Sequence, residues 1–461
     1  MYKLLLSVIS CLVAGSLYAA QPGTSLLQVY QLAVRNSPQL AAAHASYQAR
    51  AENIPLARAG LLPQLGLAAN YHDAHNKAET RDGSSISNNR YSHSLQASLS
   101  QPLFRLDSWY QLKAAKEQNE QALLELSASE QELILQSAQT YFSLLRAEDE
   151  LAANQAEERA IARQLELASA RFAVGMADNT DVLQARAAHD TAAANLLHSQ
   201  NLVDDAWQEL ASLTNTRLER LYGLSHQMPV QPPSPADAQQ WVARASNDNL
   251  QLQASQLAVS AAGYELQQRK SGHAPTLDAI AQYQRADSAT LGFVPSEPSH
   301  PGYRRHAEQT LIGIQLNIPL YSGGATSAAV RQSRHTRDQL EFNYEQLRRQ
   351  VVQDAHNLFR AVNTDVARIR ARLQALRSSQ SVLEATSKGY DLGTRTMTDV
   401  LDAERQLYAA ARQYNNARYD YLLNNLQLQL VAGNLSPQHL QTIDSYLDPH
   451  YRSEADFLPA P

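Results

Sequence analysis

The chain has 461 residues, 18% of them charged, and a formal net charge of -6. That balance argues against nucleic acid or anionic lipid as the main partner. Seven Phe and three Trp are too few for a compact core of ordinary aromatic content, whereas abundant Gln, Asn, Ser and Ala suit long solvated helices.

The N-terminus reads as a secretory signal over residues 1–20: Lys3 is its positive end, Leu4 to Tyr18 its apolar stretch and Ala19-Ala20 a small-residue cleavage site. Cys11, the only cysteine, falls inside it. Val8-Ile9-Ser10-Cys11 faintly resembles a lipoprotein box, but the apolar run continues past it. The mature chain is therefore expected to use no disulfide and no thiolate metal site. No later stretch approaches the ~18 consecutive apolar residues of a membrane-spanning helix. An exported chain of this kind is either soluble or crosses a membrane as β-strands.

From Leu26 to about Ala59 the pattern is helical, with Pro55 expected to kink or break it. Pro63 then opens a strand, at about 63–75, with Leu65, Leu67, Ala69 and Tyr71 on one face. Residues 76–90 read as a polar loop. Over 91–102, Tyr91, His93, Leu95, Ala97 and Leu99 alternate with serine and glutamine until Pro102, a period-two strand signal. A very long helix follows, from about Leu106 to Phe172, then a turn and a returning helix from Asp181 to about Leu221.

The same order then repeats. Ser246 to about Lys270 is helical, and strands are expected at about 275–287 and 310–319, separated by a Pro/Gly/Ser-rich loop from about Ser288 to Ala307. Leu277, Ala279, Ala281 and Tyr283 share a face, as do Ile312, Ile314, Leu316 and Ile318; Ile280 interrupts the polar side. A second long helix runs from about Gly324 to Gly389 and returns from Asp399 to about Val431. Each rod spans on the order of 100 Å. From Leu340 through Tyr344, Leu347, Val351 and Ala355 to Leu376, apolar residues step by fours and threes, the seam of coiled-coil packing. A soluble coiled-coil bundle would carry the same stripes.

One phrase exposes the duplication. Residues 171–185 read RFAVGMADNTDVLQA and residues 389–403 read GYDLGTRTMTDVLDA, roughly 220 residues apart, so a large unit occurs twice. Gly175 and Gly393 are expected to end one helix in the left-handed conformation, and Asp181 and Asp399 to cap the next. The chain thus divides into a first repeat at 21–230, a second at 231–433, and a connector with a short polar tail at 434–461.

Four strands, each with an apolar and a Ser/Gln/Asn face, have the pattern of a transmembrane barrel. A spanning sheet must close, and about eight strands is the practical minimum. Other copies of the chain must complete it, most simply two or three, and three copies would give twelve strands.

Together these features resemble the TolC family of outer-membrane efflux channels. The likeness covers nearly the whole mature chain, and is carried by LLPQLGL at 61–67, QPLF at 101–104, IPLYSGG at 318–324 and DLGTRTMTDVLDA at 391–403. It implies a mainly α chain with a membrane β-barrel: a homotrimer whose twelve strands continue into a coiled-coil barrel across the periplasm. It implies an exit duct in the outer membrane, in contact with its lipid, serving tripartite efflux and type I secretion. A periplasmic adaptor (membrane fusion) protein and an inner-membrane RND, MFS or ABC exporter would be its partners, with no cofactor, no nucleic acid and no enzymatic activity.

The resemblance also implies roles for single residues. Asp399 and Asp402 would ring the periplasmic aperture, and a ring of carboxylates attracts cations; read without it, the same aspartates simply favour the start of a helix. Tyr390 would hydrogen-bond Asp181, and Arg395 would reach Thr180 and Asp181 of a neighbouring chain, forming a gate latch. Gln164 matches the latch pattern too, but Ser387 replaces its usual acidic partner, so that link is expected to be weak. The turns at Gly175-Met176 and Gly393-Thr394 would meet the adaptor.

Other constellations carry less. His72, His75, His93, His300 and His306 gather near the strand ends but read as solvated loop residues rather than metal ligands. Ser322-Gly323-Gly324 lacks the lysine and spacing of a phosphate loop. A dedicated protein-secretion channel remains an alternative to a general efflux channel. A periplasmic adaptor would instead have one hairpin and lipoyl-like β-domains.

Overall fold

The computed structural model describes residues 23–79, 81–287 and 306–459. The expected signal segment and the loop at 288–305 lie outside them. The first repeat holds α1 (Leu26–Asn36), α2 (Pro38–Ala51), α3 (Asn53–Ala59), β1 (Gln64–Glu79), β2 (Ser85–Phe104), α4 (Leu106–Ala173) and α5 (Asn179–Thr214). A short β3 (Gly223–Leu224) leads to the second, with α6 (Ala238–Asp248), α7 (Leu250–Lys270), β4 (Thr276–Asp287), β5 (His306–Asn317), α8 (Ala325–Asp391) and α9 (Met397–Val431). The chain ends in α10 (Pro437–Asp444), β6 (Leu447–Asp448) and α11 (Ser453–Asp456).

Where the first helical stretch breaks differs from expectation. Ser37 and Glu52 separate three helices: Ser37 Oγ accepts from the Leu40 amide at 3.2 Å, with Pro38 as the first residue of α2. Pro55 sits in the first turn of α3, where its missing N–H is no loss. In the second repeat, Asn249 likewise divides α6 from α7, its side chain accepting from the Leu252 amide at 2.9 Å.

The four long strands form one antiparallel sheet in the order β1-β2-β4-β5. Its register aligns the apolar faces anticipated from the alternation: Leu65, Leu99, Ala281 and Ile312 stand in one row. On the other face, Gln96, Gln284 and Gln309 make a polar row that ends at Ala68. Directly opposed residues share a face, so the sheet is amphipathic as a whole. The apolar side is bare, with Leu65 79% and Ile312 82% exposed. Within the described residues, β1 and β5 each have one edge without a strand partner.

The polar loop expected at 76–90 is mostly ladder instead. Pairing runs on to Glu79 opposite Ser85, with a turn over 81–84 that has Gly83 at φ 83°. Beyond Tyr71, β1 carries no large apolar residue on either face, so alternation vanishes from the sequence while backbone hydrogen bonding continues. Pro102 does not end β2 but sits at a register shift between Pro102 and Phe104, a bulge that accommodates its missing N–H.

The helices form two antiparallel hairpins, α4 with α5 and α8 with α9. Toward the sheet α7 lies between α4 and α8; toward the far end α9 packs on α4. At 68 and 67 residues, α4 and α8 each span about 100 Å. Of the anticipated seam on α8, Val351, Ala355, Val362, Val366, Ile369 and Leu376 are buried. No helix among the described residues is long and apolar enough to cross a membrane.

Midway, the C-terminal segment straps across the bundle: β6 pairs with β3, and Leu440, Ile443, Leu447, Tyr451 and Phe457 are buried. The Tyr419 and Tyr451 hydroxyls donate to the buried Asp149 carboxylate at 2.7 and 2.9 Å. Burial pushes Asp149 up to about 6. Arg418 donates to the Leu224 carbonyl at 3.1 Å and to that of Ser225, which ties α9 to the connector.

Gly433 ends α9 at φ 71°, and a Cβ there would lie 2.0 Å from the Asp248 carbonyl oxygen. Gly433→Ala is expected to lose about 1–2 kcal/mol to left-handed backbone alone, with a further loss from displacing that carbonyl. Gly263→Ala, mid-helix with open space around the new methyl, should gain about 0.5–1 kcal/mol. Thermal denaturation in detergent would check both, with Gly433→Ala melting lower and Gly263→Ala no lower than the parent.

Candidate functional site

The residues singled out by the family resemblance gather at the pair of turns farthest from the sheet and in the seam just above them. Both turns have the same backbone. Gly175 and Gly393 each lie at φ 73°. The Met176 amide donates to the Arg171 carbonyl at 2.8 Å and the Thr394 amide to that of Gly389 at 2.8 Å, the long bond of a Schellman turn. The helix caps fall three residues past each glycine rather than six. The Asp178 side chain caps α5, accepting from the Thr180 amide at 3.4 Å, and the Thr396 hydroxyl caps α9, accepting from the Asp399 amide at 3.3 Å. Asp181 and Asp399 therefore occupy the first turns of α5 and α9 rather than their caps. Valine, methionine and leucine crown the tips, with Val174, Met176 and Leu392 each at least 70% exposed.

Asp399 closes a capping box: its Oδ2 accepts from the Thr396 amide at 2.8 Å and the Thr396 hydroxyl at 2.9 Å. These hydrogen bonds, with a smaller effect of Arg395, hold its carboxyl below the usual aspartate range. Asp402, one turn on, is exposed and has Arg405 of its own helix at 3.6 Å. Both carboxylates thus stand on one stretch of α9, but one of them has a basic companion that the sequence reading overlooked.

The residues expected to form a latch are distributed unevenly. Arg395 is exposed, and no carboxylate among the described residues comes within 4.0 Å of its side chain. No hydrogen bond among the described residues joins Tyr390 to Asp181 within the chain. Tyr390 instead lies beneath Arg171, whose guanidinium sits 4.5 Å from the ring centroid. Its ring also packs against the apolar cluster of Ile161, Val182, Met397 and Leu401. Arg171 in turn donates to Asp391 at 3.3 Å, and Thr398 donates to Gln184 at 2.7 Å, so both hairpins are tied together within one chain. Thr180 is exposed and Asp181 half-buried on the facing hairpin.

Gln164 does find an acid, though not near Ser387. It donates to Glu404 of α9 at 3.5 Å. Arg171, Asp391, Gln184 and Glu404 escaped the sequence reading because their partners lie on another helix. Only the mutual rotation of α4, α5 and α9 brings them together, and no spacing along the chain records it. Among the described residues, no group of three or more His, Cys, Asp or Glu could hold a metal ion.

The duplicated unit of two amphipathic strands and a long helical hairpin, with tips tied by polar contacts, is an architecture that recurs among solved outer-membrane proteins. Solved channels of this architecture share the fold. The chain superimposes with a TM-score of 0.74 on the outer membrane protein VceC of Vibrio cholerae, at 19% identity, covering 88% of this chain and 96% of that one. For CusC the TM-score is also 0.74, at 18% identity, covering 89% and 92%.

The chain belongs to the Outer membrane efflux protein family, whose profile matches residues 29–216 and 241–434, one block in each repeat. It is 34% identical over 451 residues to outer membrane protein TolC of Escherichia coli (strain K12), covering 96% of this chain and 89% of that one. It is 29% identical to the alkaline protease secretion protein AprF of Pseudomonas aeruginosa, covering 91% and 86%.

Proposed function

We propose that three copies of this chain assemble into an outer-membrane exit duct that conducts small molecules and proteins from the periplasmic side to the exterior. The bare apolar sheet face with its two unpartnered edges carries this reading. Such a surface is stable only against lipid, and such edges only against further strands. Joining β5 of one copy to β1 of the next closes twelve strands, with the Gln and Ser rows lining a watery lumen. Tyr71 and Tyr91, both exposed near the outer end of the apolar face, would sit at the lipid headgroups.

The duct is passive. An inner-membrane RND, MFS or ABC exporter supplies the energy, and a periplasmic adaptor docks on the apolar tips around Gly175-Met176 and Gly393-Thr394. Asp399 and Asp402 line the closed entrance. Arg395 of each copy binds Thr180 and Asp181 of its neighbour, so opening requires those ties to break and the hairpins to part, a two-state rearrangement biased by the partner. Relatives named for efflux and for protease secretion support both kinds of cargo.

The assembly is tested by purifying the protein from outer-membrane fractions in detergent. Light scattering should give a protein mass three times that of one mature chain, and planar bilayers should show discrete channel steps. A water-soluble monomer without conductance would overturn the reading.

A further inference from the structure

We propose that Glu404 is a proton-responsive wedge in the seam between the two hairpins. Protonated, it lets α4 and α9 stay packed and the entrance shut; ionised, it eases them apart. This inference rests on the gate placed at the tips above, and adds what regulates it.

Glu404 lies in the second turn of α9 and is only 7% exposed. Its Oε1 takes one long hydrogen bond, from Gln164 at 3.5 Å, while its Oε2 is buried with no partner at all. Buried carboxylates are normally paired and fully hydrogen-bonded, and an orphan oxygen leaves the desolvation cost uncompensated. Its helix neighbours toward the tip, Met397 and Leu401, are buried in an apolar cluster, and Leu407 and Ala411 on the other side are buried as well. An apolar side chain would therefore suit this position without the cost. A group that opposes the packed state from inside the contact is the kind of element that sets a gate's threshold.

The surrounding charges relieve it only in part. On α4, Arg163 attracts it and Glu157 repels it by less, while its Oε2 stays without a hydrogen-bond partner. Of the cations on α9, Arg405 pairs with Asp402 at 3.6 Å, and Arg412 is committed to α4, donating to Asn154 at 3.0 Å and to Glu157 at 3.3 Å. Tyr408, one turn along α9, is itself pushed upward by burial and by the charge of Glu404. On α8, Glu384 and Lys388 bind each other at 2.6 Å, and on α5, His189 meets Glu158 of α4 at 3.2 Å. Burial first, then Glu157, hold the Glu404 carboxyl above the usual glutamate range, against Gln164 and Arg163.

The sign follows from that direction. A raised value in the packed seam means the packed seam prefers the proton, so its stability is complete below the ordinary glutamate value and is lost as pH rises through the raised one. Parting the seam admits water to the carboxylate and returns it toward the ordinary value. Opening is therefore favoured by rising pH. A difference of one unit between the two states corresponds to about tenfold in their ratio.

The test measures opening frequency, not unitary current, in planar bilayers between pH 4.5 and 8, so that titration of the lumen does not intrude. The parent protein should open more often as pH rises. Glu404→Gln, which keeps the shape and cannot ionise, should be flat and roughly tenfold less active at the alkaline end. Glu157→Gln keeps an oxygen for Arg412 but removes the repulsion, and should move the midpoint to lower pH; it serves if Glu404→Gln does not assemble. Arg395→Ala measured in parallel separates the two readings. If it opens the channel while Glu404→Gln keeps the parent's pH response, the wedge is overturned and the gate stands. A parent protein indifferent to pH also overturns the wedge. If Arg395→Ala changes nothing, the gate itself is misplaced and the wedge falls with it.

Discussion

Arg395→Ala is expected to turn a mostly closed channel into a frequently open one. The side chain stands exposed at the tip, with no carboxylate among the described residues of its own chain within 4.0 Å, while the exposed Thr180 and half-buried Asp181 stand on the other hairpin. A guanidinium–carboxylate tie is directional and charge-assisted, and each such bond contributes about 1.5–3 kcal/mol. About 1.4 kcal/mol is tenfold in an equilibrium, so losing one tie per subunit should raise the open population at least about tenfold. Single-channel recording would register this as longer and more frequent openings. Arg171→Ala serves as the contrast: it releases Tyr390 and Asp391 within one chain, and should loosen the tip less, because both hairpins keep the Thr398–Gln184 contact and their apolar cluster. An Arg395→Ala channel that opens no more than the parent would remove the latch between subunits.

The second large effect concerns ion selectivity. Asp399→Asn combined with Asp402→Asn should abolish most of the cation preference, since three copies would lose six carboxylates around one narrow axis. Asparagine is the better replacement for Asp399, because its amide oxygen can still accept from the Thr396 amide. Alanine there would also remove the capping box, typically a loss of ~1 kcal/mol, and would confuse gating with permeation. The Asp402 charge is partly balanced by Arg405 at 3.6 Å, so Asp399→Asn alone should shift the reversal potential more than Asp402→Asn alone. Because hydrogen bonding holds the Asp399 carboxyl below the ordinary range, its contribution should persist in mild acid and fade only as pH falls through that lowered value. Reversal potentials under a KCl gradient measure all three variants. Unchanged selectivity in the double variant would place the constriction elsewhere.

Much of the framework was legible in the sequence because its determinants are periodic. Alternation from Leu65 to Tyr71 and from Ile312 to Leu316 marked the sheet, and fours and threes along α8 marked the rods. What failed was local. Pro55 looked like a break but occupied a first turn, while Ser37 and Glu52 broke the helix through capping and turn geometry that periodicity does not register. The ladder beyond Tyr71 was invisible because β1 carries no large apolar residue there. At the tips, Gly175 and Gly393 were readable because a left-handed residue is needed there. The cap three residues later was missed because Asp178 and Thr396 differ in kind while the aspartates matched. The resemblance supplied Asp399, Arg395 and Gln164 as residues, but the companion of Gln164 depended on how two helices far apart in sequence rotate against each other.

In the proposed trimer, the direct passage from sheet to rod has a consequence for how copies would find their alignment. A single residue, Arg105, separates β2 from α4. Sliding β1 of one copy past β5 of the next by one residue would turn serine and glutamine toward the lipid, so the bilayer rejects it. A slide of two residues restores every face, and the bilayer is blind to it. It would, however, displace one subunit by about 7 Å along the strands and carry its hairpin ends out of step with the others. The rods thus act as a vernier, reporting at one end of the molecule whether the staves at the other were laid true.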